Sequence, residues 1–334
     1  ILEELFYEPI THDEIDETKR FLAHAKVTTS GFREYEFPEE IWRRVVDEFN
    51  GRPPIQIRAV KEGSVLYPNE PAIEITSAVD GMGVLGAWFE SKILQVWSRS
   101  ERVTQDEHFL NRIKERILRV DPDMSEADLN FYASIMITDF GDRAGMTSNE
   151  SEELGMVHLY TFGGTDTFSG AYQAWKNAGE VEGIFSSVNA LAHRNVQSFE
   201  KEFDCYKAIY DSCGDGEIIS MVDDCYDAKF AVRNYLLPLA LKSKAEGSNK
   251  VIVARPDSSK EGYTTKDQIL EICDISVEAG LYTEMTTITG DWKCGTLLHF
   301  LDGDGKKFED ILDEMDFLID NGYAFYTWGL FGQG

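Results

Sequence analysis

The chain opens with segments whose apolar positions recur at helical spacing: ILEELF (1–6), ETKRFLAHAK (17–26) and EEIWRRVVDEF (39–49). PIQIRAV (54–60) alternates apolar and polar, and EGSVLYPNEPAIEIT (62–76) reads as two short strands around a Pro-Asn turn. GMGVLGAWFESKILQVW (81–97) predicts a long, mostly buried helix, and QDEHFLNRIKERILRV (105–120) an amphipathic outer one. Residues 1–125 therefore read as a partial N-terminal α+β domain with a helical segment.

From about residue 130 the pattern changes. Short apolar runs rich in β-branched and aromatic residues recur: ASIMIT (133–138), VHLYTF (157–162), IFSSV (184–188), EIISMV (217–222), VIVAR (251–255), EMTTIT (284–289) and YAFYTW (323–328). They lie about 25 to 40 residues apart, the size of a βα unit. Amphipathic stretches fall between several of them, such as QSFEKEFDCYKAIYDS (197–212), TTKDQILEICDISVEAG (264–280) and KKFEDILDEMDFLIDNG (306–322). Strands alternating with helices predict a parallel sheet, closed as a barrel or open and doubly wound.

The runs are followed by DFGDR, GGTDT, NALAHR, DDCYD, RPDSS, GDWK and GLFGQG. In a parallel α/β barrel the C-terminal strand ends converge on one face. Asp, Ser and Gly are also ordinary turn and cap residues, but caps do not require arginine. Arg143 and Arg255 carry planar forks suited to phosphate or carboxylate. With Asp223, Asp224, Asp257 and Asp291 they suggest a phosphorylated sugar whose hydroxyls or Mg²⁺ take the carboxylates. Phe140 presents an aromatic face to a flat ligand, or packs in the core. His193 follows a strand, where a lone histidine is more often structural than catalytic.

Charge narrows the partners. The 334 residues carry 60 acidic and 32 basic side chains, for a net charge of -28. A field of that sign disfavours nucleic acid and anionic lipid and lets an anion bind only where arginines gather. The five cysteines form no C-x-x-C pair, which argues for a reducing cytoplasm and against a disulfide framework or a zinc site. No apolar run reaches the roughly 18 residues that would span a membrane. Walker A, GxSxG and HExxH motifs are absent, and GDGEII (214–219) and GDGKK (303–307) read as turns. No protein-bound metal site is assigned. The first residue is Ile1 and the last Gly334, and both ends read as cut.

In order, DFGDRAGMTS (139–148), HLYTFGGTDT (158–167), SVNALAHR (187–194), SMVDDCYD (220–227), ARPDS (254–258) and TGDW (289–292) resemble the nicotinamide phosphoribosyltransferase family. IQIRAVKEGSVLYPNEPAIEIT (55–76) resembles the strands that precede its barrel, so the resemblance covers nearly the whole chain. It implies a TIM-like parallel β/α barrel of the type II phosphoribosyltransferases with an additional N-terminal α+β domain. The barrel would fill residues 126–334 with its C-terminal part missing. The implied reaction joins nicotinamide to 5-phosphoribosyl 1-pyrophosphate, giving nicotinamide mononucleotide and pyrophosphate in NAD biosynthesis and salvage. Mg²⁺ would accompany the pyrophosphate, and ATP would act as an activator through His193. A cytoplasmic homodimer with a shared active site is also implied.

Site residues follow one at a time from that resemblance. Phe140 matches the phenylalanine stacked on the pyridine ring, and Arg143 the arginine beside ring and phosphate. Asp166 matches the acceptor for the carboxamide nitrogen, and Ser187 lines the ring tunnel. His193 matches the histidine that is phosphorylated from ATP, with Asp224 nearby. Arg255 and Asp257 match the pair on phosphate and ribose, and Gly290 and Asp291 the loop approaching phosphate and ribose hydroxyls. There are departures. Ala192 stands where the nicotinamide enzymes commonly carry glutamate and is closer to the nicotinate enzymes. Ser259 replaces a glycine after the RPDS motif, and Trp292 stands where glycine is usual. The alternatives are a nicotinate phosphoribosyltransferase, against which Asp166 argues, and a non-catalytic nucleotide-binding relative. A glycosidase is disfavoured by the pocket arginines and the lack of a tryptophan-lined groove.

Overall fold

The computed structural model describes residues 8–23, 26–28, 32–34, 37–61, 64, 66–67, 69–143, 147–180, 182–257, 264–295, 298–301 and 307–333. They divide into two compact units, Ile1–Thr104 and Gln105–Gly334.

The first unit is built from short elements. Helix α1 (His12–Leu22) starts at a capping box, with the Glu14 amide donating to Thr11 Oγ1 (3.3 Å) and the Thr11 amide to Glu14 Oε2 (2.8 Å). Strands β1 (Lys26–Thr28) and β2 (Phe32–Glu34) pair antiparallel, and α2 (Glu39–Phe49) ends on left-handed Asn50. Gly51 follows at φ +74°, and a Cβ there would sit 2.3 Å from the Ile10 carbonyl oxygen, so only glycine fits. Strands β3 (Ile55–Ala59) and β4 (Ile73–Ser77) pair antiparallel, Ile57 opposite Ile75. Both lie in predicted strand segments, but no strand forms among the described residues of EGSVLY (62–67), before the Pro-Asn turn. Val45, Met82 and Leu85 are buried together beside Trp42, Ile55 and Val79. Helix α3 (Val84–Val120) joins the two predicted helices into one of 37 residues. Its Phe109, Ile113, Ile117 and Val120 are buried at helical spacing.

The second unit alternates helices with strands. In chain order these are α4 (Glu126–Ile135), β5 (Ile137–Asp139), α5 (Ser148–His158), β6 (Gly164–Thr165), α6 (Phe168–Asn177), β7 (Asn189–Leu191), α7 (His193–Gln197) and α8 (Glu202–Ser212). Next come β8 (Ile218–Val222), α9 (Ala228–Ala231), a π-helical turn (Val232–Leu236), α10 (Leu237–Glu246), β9 (Val251–Arg255) and α11 (Thr265–Glu278). Then follow β10 (Tyr282–Thr287), β11 (Gly290–Gly295), β12 (Leu298–Leu301), α12 (Phe308–Asp320) and β13 (Gly329–Gln333). A seven-stranded sheet runs β6-β5-β13-β12-β9-β8-β7, every neighbour parallel. One buried cluster sets Ile113 and Ile117 of α3 against Ile137, Leu312, Met315 and Trp328. Another sets Tyr206, Val232 and Ile272 against Ile219, Met221 and Ile252. Burial of this kind stabilises by about 25 cal/mol per Å² of apolar surface.

The fold is mixed α/β, as the alternation predicts, but the ladder is open rather than a closed barrel. Its edges are β6 and β7, and one parallel bridge, Gly164 to Ser186, joins β6 to the segment entering β7. The Thr165 amide donates to the Ser186 carbonyl (3.1 Å), and the Ser186 amide to that of Gly163 (2.8 Å).

Several apolar runs are not the strands. VHLYTF is the end of α5 and its exit turn, with the strand just after it. YAFYTW holds a buried 3₁₀ turn (Phe325–Thr327), again just before the strand. A short apolar run does not distinguish a buried helix end from a strand by period alone. EMTTIT belongs to β10, which pairs antiparallel with β11 outside the parallel sheet. The sheet position falls instead to β12, a strand the sequence reading omitted.

Candidate functional site

The ends of β7, β8 and β9 bring an imidazole and two carboxylates together. His193 is the first residue of α7, directly beyond β7, and its Nε2 lies 2.9 Å from Asp224 Oδ1. Its Nδ1 faces Asp257 Oδ2 at 3.5 Å. The Asp224 side chain is only 3% exposed, against 36% for His193, so a buried carboxylate grips a half-exposed ring from below. Ring orientation is thereby fixed, as in sites where a carboxylate sets an imidazole's tautomer.

Arg255 closes β9, and its Nη2 donates to the Leu191 carbonyl (2.6 Å), two residues before His193. Arg255 thus ties the end of β9 to the end of β7 across β8. The Asp223 amide donates to the Arg255 carbonyl (3.3 Å). Asp223 is fully buried, and neither carboxyl oxygen has a hydrogen-bond partner among the described residues. Burial, then the neighbouring Asp224 charge, pushes its pKa well above the usual carboxylate range, against the pull of Arg255.

A second group forms where β5, β6 and the entry to β7 meet. Ser187 Oγ donates to Asp166 Oδ1 through a short contact, and the Asp166 amide donates to the Asp139 carbonyl (2.9 Å). The Asp139 carboxylate accepts from the Gly141 amide (3.1 Å) and Thr165 Oγ1 (3.4 Å), which shapes the loop carrying half-buried Phe140. Ser169 Oγ donates to Asp142 Oδ1 (3.1 Å), tying this loop to α6. Arg143 ends a 3₁₀ turn (Gly141–Arg143), and its side chain lies outside the described residues.

Gly290 and Asp291 are not part of this edge. They open β11, in the connection from α11 to β12, and such helix-to-strand connections lie at the N-terminal edge of a parallel sheet. The hairpin's contacts agree. Lys293 bridges Tyr323, in the α12-to-β13 connection, and the Thr287 and Thr289 hydroxyls both donate to the Val120 carbonyl (2.7 Å each) at the end of α3. GDW does follow a strand, but that strand belongs to a separate hairpin. The segment after β12, DGDGK (302–306), lies outside the described residues.

The donor atoms of His193, Asp224 and Asp257 lie within 4.8 Å of one another. Mg²⁺ prefers an all-oxygen, octahedral shell with several waters. Here the imidazole occupies the space between the carboxylates and bonds to one of them. The trio fits an oriented base or phosphoryl acceptor better than a resident metal centre. Sequence reasoning did not single out Glu202 and Tyr206; the Tyr206 hydroxyl lies 2.8 Å from the Val222 carbonyl, two residues before Asp224. Their only signal was a spacing of four on an amphipathic helix.

No family model matches the chain. A nicotinamide phosphoribosyltransferase from Xanthomonas campestris pv. campestris (strain 8004) is 31% identical over 263 residues, covering 77% of this chain and 53% of that protein. A crystal structure of nicotinate-nucleotide pyrophosphorylase from Pyrococcus furiosus aligns at a TM-score of 0.49 and 16% identity, over 97% of this chain and 70% of that one. Over those 263 residues the chain is a sequence relative of a nicotinamide phosphoribosyltransferase, and it spans about half of that protein's length.

Proposed function

We propose that the full-length protein is a nicotinamide phosphoribosyltransferase. It would form nicotinamide mononucleotide and pyrophosphate from nicotinamide and 5-phosphoribosyl 1-pyrophosphate, for NAD salvage. The observation that carries this reading is the 31% identity to a protein of that name, over a stretch long enough to hold most of the His193 edge. Function would divide near residue 125, with the N-terminal α+β region before it and the catalytic region after it. The bridge between the edges of the parallel ladder supports a barrel-like ring there. A cytoplasmic homodimer belongs to the same reading.

The chemistry follows from the two groups of side chains. As the bond from ribosyl C1 to pyrophosphate stretches, C1 becomes cationic, and fixed carboxylates beside it lower the barrier because they need no reorganisation. Asp257, with Asp224 behind it, fits that task. Mg²⁺ bound with the departing pyrophosphate, together with arginines such as Arg255, would neutralise its charge. The nicotinamide ring would stack on Phe140 beside Arg143. Its carboxamide N–H would donate to Asp166, whose other oxygen is engaged by Ser187. Nicotinate would set a carboxylate against Asp166, and like charges at that distance are costly. If ATP drives the reaction, His193 accepts the phosphoryl group, Nδ1 being the more loosely held nitrogen. Ala192 is the one observation favouring the nicotinate enzyme.

The test is product formation by the full-length protein from phosphoribosyl pyrophosphate and Mg²⁺, with nicotinamide or nicotinate, each with and without ATP. Mononucleotide from nicotinamide, stimulated by ATP, is expected. Product mainly from nicotinate moves the protein to the sister activity, and no product from either base refutes both.

A further inference from the structure

Tyr206 is fully buried on α8, and its single hydroxyl lies 2.8 Å from two oxygens, Glu202 Oε1 and the Val222 carbonyl. One hydroxyl has one proton. Shared between both as a three-centre bond it would be weak on each arm, and a full bond to each oxygen needs a second proton. A carbonyl has none to give, so the second proton is that of the Glu202 carboxyl.

We propose that Glu202 and Tyr206 are positioning residues for the His193 site: a protonated Glu202 carboxyl donates to Tyr206, and the Tyr206 hydroxyl is thereby committed to the Val222 carbonyl. This rests on the reading of His193, Asp224 and Asp257 as the working centre. The carbonyl of Val222 and the amide of Asp223 belong to one peptide unit. Tyr206 holds its oxygen, and the Arg255 carbonyl accepts from its N–H at 3.3 Å. That peptide is therefore fixed at both ends, one residue before Asp224, and Asp224 in turn orients His193 Nε2.

The surroundings of Glu202 agree with the proton count. The titratable groups that act on it or are acted on by it are Tyr206 on its own helix, Asp227 before α9, and Asp223 and Cys225 beyond β8. Burial raises the Glu202 pKa, the Asp227 charge raises it further, and the bond from Tyr206 opposes. Burial pushes the thiol of Cys225 up to about 12.

Stability tests the protonation state without any assay of activity. A carboxyl whose folded pKa is raised favours the fold below its unfolded pKa, and that contribution is lost as pH rises toward the folded value. The stability of the wild type relative to Glu202→Gln, whose amide N–H also donates, should fall as pH rises above the ordinary carboxyl range. A difference flat in pH, or one that grows with pH, overturns the proposal.

Activity of the full-length protein tests the positioning. Tyr206→Phe should lower kcat about 5- to 10-fold with little change in the KM for the base, the scale of one buried hydrogen bond. Glu202→Gln should lose less than Tyr206→Phe and should hold its rate to higher pH than the wild type. Equal losses in both variants, with unchanged alkaline limbs, contradict it. An inactive wild type would refute the proposed function while leaving the stability test standing.

Discussion

At the residue scale, the site depends on a few side chains held by backbone rather than by one another. Arg255 donates to a carbonyl two residues before His193, so it supports the loop, and under the proposed function it would also offer charge to a phosphate. Arg255→Ala should therefore raise the KM for phosphoribosyl pyrophosphate at least ~10-fold and also lower kcat, because a charged hydrogen bond is worth about 1.5–3 kcal/mol. Equal weakening of nicotinamide and phosphoribosyl pyrophosphate, measured by titration, would count against the phosphate role. Asp166→Ser should relax selectivity toward nicotinate by removing the like charge, and an unchanged ratio of kcat/KM for the two bases would refute the carboxamide contact. Arg143 and Arg255 stood out in the sequence because caps do not require arginine, whereas Asp166 and the role of His193 came only from the family resemblance. The supporting bonds were not legible, since a side chain reaching a backbone carbonyl 64 positions away leaves no local pattern.

At the element scale, the sheet explains both what the sequence showed and what it hid. EIISMV and VIVAR became β8 and β9, where strongly apolar, β-branched runs sit between helices on a parallel sheet. EMTTIT has the same composition but pairs with the segment after it, and only the pairing partner separates a hairpin strand from a sheet strand. Asp291 lies on that hairpin with its carboxylate accepting from Thr286 Oγ1 (2.7 Å). Asp291→Asn should leave kcat/KM within about twofold of wild type, as surface changes away from a site commonly do. A loss approaching that of Asp224→Asn would return the hairpin to the active edge. Helices α5 and α6 cross at Gly155 and Gly170, where a Cβ on Gly170 would meet the Gly155 backbone at 2.6 Å. Gly170→Ala should cost about 1–3 kcal/mol through this overpacking, read as a lower denaturation midpoint at constant m-value.

At the scale of the whole molecule, the two units differ in how much the sequence disclosed. In the N-terminal unit the helix over EEIWRRVVDEF and the strands β3 and β4 follow their local periodicity, whereas the helix predicted over 17–26 ends at Leu22 and ILEELF lies outside the described residues. The second unit showed its α/β class through the spacing of its runs, but sheet order and closure depend on contacts between distant segments. The bridge from Gly164 of β6 to Ser186, in the segment entering β7, is one such contact. The net charge of -28 disfavours anions over the surface at large, so the anionic substrate of the proposed reaction would depend on a local cation such as Arg255.

The most direct test is the initial rate of nicotinamide mononucleotide formation by the full-length protein, its Asp224→Asn variant and its Asp291→Asn variant, at saturating nicotinamide and phosphoribosyl pyrophosphate with Mg²⁺ and ATP. The wild type and Asp291→Asn should turn over at similar rates, with Asp224→Asn slower by about 100-fold or more, the usual scale for losing an acid–base partner. No mononucleotide from the wild type, or Asp224→Asn as active as the wild type, would contradict the account.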